Sequence, residues 1–196
     1  MADITLDLQA YKDKIYPRIF LTDELPQVLG DDASDLPVSR LWLKDLALGY
    51  VIDRGDKFTF ISKRHLGDEM TEDEIVGLAN NNFLRDFEFK IVRTIFGCYE
   101  LEGNPDHCAT AMLVAPVWDR VVAHFGKDLV VAIPAYELLF LTTADDEEGI
   151  SNLKMELYKI SGTGIEKRIG NDLFLYKKDE KMWYLLDETE GEEEGL

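Results

Sequence analysis

Three side chains able to support nucleophilic chemistry stand together in "NPDHC", residues 104–108, which brings Asp106, His107 and Cys108 into sequence contact. A working thiolate needs its base within hydrogen-bond reach and a third group to orient that base. Adjacent residues on a strand point to opposite faces, so the expected arrangement is Cys108 toward the core and His107 toward solvent. The remaining candidates are carboxylates: Asp53 with Asp56 around "DRGD", and Asp145, Asp146, Glu147 and Glu148 in "TTADDEEG". Clustered acids of this kind could share a proton, hold a hard cation or face a basic partner. Those after a strand and before a helix are equally accounted for by capping and the helix dipole.

Other chemistries find no footing in the residue pattern. The three histidines and two cysteines show no HExxH or CxxC spacing, so no metal site is expected. "SGTGIEKRIG" lacks the spacing of a phosphate-binding loop, and no cofactor is implied. Two cysteines do not make a disulfide scaffold, and reduced buried thiols are the expected state of Cys98 and Cys108. The "RGD" at Arg54–Asp56 would need an exported protein to act as an adhesion ligand, and the acidic start "MADITLDLQAYKDK" has no secretory character.

Charge is the strongest global signal. The chain has 196 residues with 39 acids against 21 bases, a formal net charge of −18. Such a surface repels phosphate backbones and anionic lipid, which argues against direct nucleic-acid binding and membrane association. The terminal "DETEGEEEGL" holds six acids, and −18 less those six leaves −12 for the rest of the chain. The tail is expected to be disordered from about Glu188, chiefly as a solubility segment. The longest apolar run, "DLVVAIPAYELLFLT" at 128–142, is broken by Pro134 and Glu137 and is too short to cross a bilayer. A cytoplasmic location is expected.

These residues must be positioned by elements the sequence also suggests. "SRLWLKDLALGYVIDRGDKFTFIS" reads as two strands around "DRGD". Thr71 followed by Glu74 forms a capping box for a helix over about 72–86, with Ile75, Leu78, Ala79 and Phe83 inward. Its "NNN", Asn80–Asn82, is expected on a solvated face, with one of the three as a buried hydrogen-bonding anchor the alternative, because the asparagine amide competes for backbone partners inside a helix. "KIVRTIFGCYELEG" reads as a strand and "HCATAMLVA" as its returning partner. Pro116 opens a second helix that Gly126 stops. Pro134 bars a helix through 128–142, so "LVVAIP" and "ELLFLT" are expected as two buried strands. A third helix follows in "DEEGISNLKMELYKISG", and "DLFLYKKDEKMWYLLD" closes as a hairpin. The fold class is therefore α+β: an antiparallel or mixed sheet of hairpins with about three helices against one face. Length alone suggests a single domain over 1–187, followed by the acidic tail 188–196.

The stretch "GYVIDRGDKFTFISKRHLGDEMTEDEIVGLANNNF", followed by "WDRVVAHFGKDLVVAIPAYELLFLTTADDEEGISNLK", resembles the YtpQ-like bacterial proteins, a family of unknown function. The shared features are a hairpin with Asp53 and Gly55, a helix with Ala79 and Asn82, a strand from Lys127 to Pro134, and another at Leu138–Phe140. The resemblance spans about residues 15–160, implies a bacterial or phage cytosolic origin, and supplies no catalytic residue. Without an active-site signature, the chain reads as a non-catalytic acidic domain that binds a basic protein, in its most concrete form an immunity or inhibitor protein for a bacterial toxin or effector. Asp145, Asp146, Glu147, Glu148, Asp53 and Asp56 are the expected partner-binding residues. The alternative is a metal-dependent hydrolase or nucleotide-handling enzyme using the same carboxylates.

Overall fold

The computed structural model describes residues 6–24, 37–66, 70–165 and 168–186. The described residues gather around two sheets, in units Met1–Glu88 and Phe89–Leu196. The expected disorder from Glu188 falls outside the described residues. All strand pairing is antiparallel.

The first unit contains β1 (Ile15–Leu21), β2 (Ser39–Leu41), β3 (Leu46–Asp53), β4 (Phe58–Phe60) and the helix α1 (Glu72–Asp86). β3 is the organising strand, with every residue from Leu46 to Ile52 buried. β1 pairs along one edge from Ile15↔Ile52 to Leu21↔Leu46, while β2 and β4 divide the other edge at Gly49 and Val51. Pro17 sits within β1, a sheet-edge strand where a missing N–H is tolerated. Gly49 is required by packing, because a Cβ there would come within 2.4 Å of the Phe20 ring.

The helix α1 starts as its sequence indicates. The Thr71 backbone N–H donates to Glu74 Oε2 at 2.7 Å, and Glu74 N–H returns to Thr71 Oγ1 at 3.3 Å. Its buried face is Ile75, Ala79, Asn82 and Phe83. Asn82 leaves the expected solvated face and takes the alternative of a buried anchor: it is 3% exposed, and its amide donates to the Lys12 carbonyl at 2.7 Å and the Ile15 carbonyl at 2.9 Å. Those carbonyls lie where a 3₁₀ turn, Gln9–Lys14, gives way to β1. The side chain thus supplies donors at a point where the turn has ended and the ladder has barely begun.

The second unit contains β5 (Lys90–Arg93), β6 (Tyr99–Glu102), α2 (Ala115–Phe125), β7 (Leu129–Ala135), β8 (Leu138–Thr143), α3 (Glu147–Ser161), β9 (Leu173–Lys177) and β10 (Met182–Leu185). Its six strands run in the order β10-β9-β7-β8-β6-β5. The apolar run at 128–142 is core: β7 is buried at all seven positions and turns at Tyr136–Glu137 into β8. Pro134 falls where the register with β8 shifts between Ala132 and Ala135, so its absent N–H coincides with an interruption of the ladder.

Helices cover both faces of this sheet, where one face was expected. Leu153, Leu157 and Ile160 of α3 pack with Val130, Ala132, Phe140 and Leu173. On the other face, Trp118 of α2 stacks near Tyr176 and Trp183, with ring centroids 5.6 and 4.6 Å away. Two further expectations are corrected. "KIVRTIFGCYELEG" is a hairpin, β5 and β6 around Gly97 at φ +91, closed by Thr94 N–H donating to the Cys98 carbonyl at 2.9 Å. "HCATAMLVA" is no strand but contains a 3₁₀ helix, Ala109–Leu113, whose small residues bury at successive positions.

Asn82→Ala should destabilise the protein by about 2 kcal/mol, because the buried Ile15 carbonyl and the partly buried Lys12 carbonyl lose their donor. Asn81→Ala, at an exposed position, should change stability by less than about 0.5 kcal/mol. Urea unfolding of both variants measures the difference.

Candidate functional site

Each predicted carboxylate group is shaped first by its local backbone. In the β3–β4 turn, Asp53 accepts from the Gly55 N–H at 2.6 Å, and Gly55 adopts φ +86. The Arg54 guanidinium lies over the Tyr11 ring at 4.9 Å. Asp53 is therefore the acceptor of an Asx turn, and Asp56 stands exposed at the same tip.

The second group opens α3. Asp146 caps the helix, accepting from Gly149 N–H at 2.9 Å through one oxygen and from the Thr142 hydroxyl at 2.9 Å through the other. Gly149 has no room for a Cβ, which would collide with both Asp146 and Thr142. Asp145 pairs with Lys127 at 2.6 Å; that ammonium's hydrogen bond lowers its carboxyl below the usual range. Glu147 and Glu148 are exposed in the first turn. The capping reading holds for Asp146, and the outward-facing charge rests on Glu147 and Glu148. The Asp53 pair and the Asp145–Glu148 group belong to different units.

The cysteine–histidine candidate does not form as expected. His107 is 1% exposed and lies ahead of a 3₁₀ helix, so the strand alternation that placed it toward solvent does not apply. Cys108 is buried as expected, its thiol donating to the Leu101 carbonyl at 3.0 Å. Burial pushes its pKa to about 12 and that of Cys98 to about 11, so both remain thiols at neutral pH. Among the described residues, no three His, Cys, Asp or Glu side chains converge to hold a metal ion. No helix among them is long and apolar enough to cross a membrane.

One polar constellation gave no sequence signal. The Tyr16 hydroxyl of β1 donates to Asp86 Oδ2 at 2.7 Å, and Arg85 grips the same carboxylate through Nε at 2.7 Å and a terminal nitrogen at 2.6 Å. Arg85 also donates to the Asp13 carbonyl at 3.0 Å. The Arg85 hydrogen bonds hold the Asp86 pKa down to about 2, while burial and then Asp86 push the Tyr16 phenol up. This arrangement ties the end of α1 to β1; it does not offer Tyr16 as an acid or base at neutral pH.

The geometry defines an acidic α+β protein of antiparallel sheets whose clustered carboxylates serve turns, caps and ion pairs as well as surface charge. Compared with known proteins, the chain matches no family model, no curated protein and no solved structure.

Asp86 has a folded-state pKa below its unfolded value, so its contribution is present above pH ~4 and is lost as pH falls toward ~2. Asp86→Asn should therefore lower stability at pH 7 and flatten the loss between pH 4 and 2, read from urea midpoints across that range. Asp146→Ala should cost about 1 kcal/mol through the lost cap, measured by thermal unfolding alongside Glu147→Ala, which should be near neutral.

Proposed function

We propose that the protein acts by binding a basic protein, as an immunity or inhibitor protein that captures a basic bacterial toxin or effector in the cytoplasm. The carrying observation is the formal net charge of −18, of which −12 remains when the six acids of the terminal segment are subtracted. A surface of one sign accelerates encounter with a partner of the other and discourages nucleic acid and anionic lipid. Glu147 and Glu148 in the first turn of α3 and Asp56 at the β3–β4 tip offer exposed charge, with Asp145 beside the glutamates and paired with Lys127. Asp53 and Asp146 support that charge from within a turn and a cap. The resemblance to the YtpQ-like proteins favours a bacterial setting. The hydrolase reading needs at least two of these acids to converge on a pocket with a metal, and no described placement favours it.

Affinity capture by the full chain at low salt should recover a partner of high isoelectric point whose association rate falls steeply as salt rises. Replacing Glu147 and Glu148 together by glutamine should slow association with that partner severalfold while costing no more than about 1 kcal/mol of stability through the lost helix-dipole interaction. An acidic partner bound with no salt dependence would sink the proposal.

A further inference from the structure

We draw no further inference here: the strongest candidate, the outer edge of the six-stranded sheet at β10 with its exposed Met182, Tyr184 and Leu185, is a short uncharged strand edge, and nothing in the structure shows what covers it.

Discussion

A strand buried on both faces must be apolar at consecutive positions, and both of its edges must be paired, because no water reaches its backbone. Two strands here meet that requirement, one in each unit. β3 is buried from Leu46 to Ile52 and is flanked by β1 on one side and β2 and β4 on the other. β7 is buried throughout and is flanked by β8 and β9. The remaining elements of each unit answer the demands these strands make. Helices α2 and α3 cover the faces of the second sheet, α1 brings its apolar stripe to the first unit, and small residues appear where the packing is closest, as at Gly49 under Phe20 and Gly149 beneath its own cap.

The legible parts of the sequence were those whose signal lies within a few residues. Thr71 and Glu74 announce α1 because the capping box spans one turn. Pro134 excludes a helix through β7, and the switch to "ELLFLT" then leaves little but a hairpin. Asp146 before α3 reads as a cap from its position alone. In contrast, β1 contains Pro17 and lacks clean alternation, so "AYKDKIYPRIF" reads only as a short helix or an extended lead-in. The β5–β6 turn hides because Ile95 and Phe96 look like strand residues, although Ile95 is fully exposed at the bend.

Asn82 and Asp86 mark the other limit. A helix-interior asparagine is usually an outward residue, and the carbonyls that make this one indispensable lie 70 and 67 positions earlier. Tyr16 and Asp86 are likewise 70 residues apart. No window of sequence contains both partners, so composition and periodicity cannot reveal the bond. The same holds for Asp145, whose lysine is 18 residues upstream across a hairpin. The candidate acids were therefore visible as a group, while their division between scaffold and surface required the fold. His107 shows a related limit: strand alternation does not hold in a segment that coils into a 3₁₀ helix.

The two thiols have a consequence of another kind. Cys98 lies under α3 with its sulfur on the Gly149 carbonyl, and Cys108 opens the 3₁₀ segment with its sulfur on the Leu101 carbonyl. Both belong to the second unit, and the chain has no others. Because they are buried and protonated, a maleimide or iodoacetamide reaches them only when that unit opens. The second unit thereby carries a chemical clock: labelling times the opening of the structure around Cys98 and Cys108.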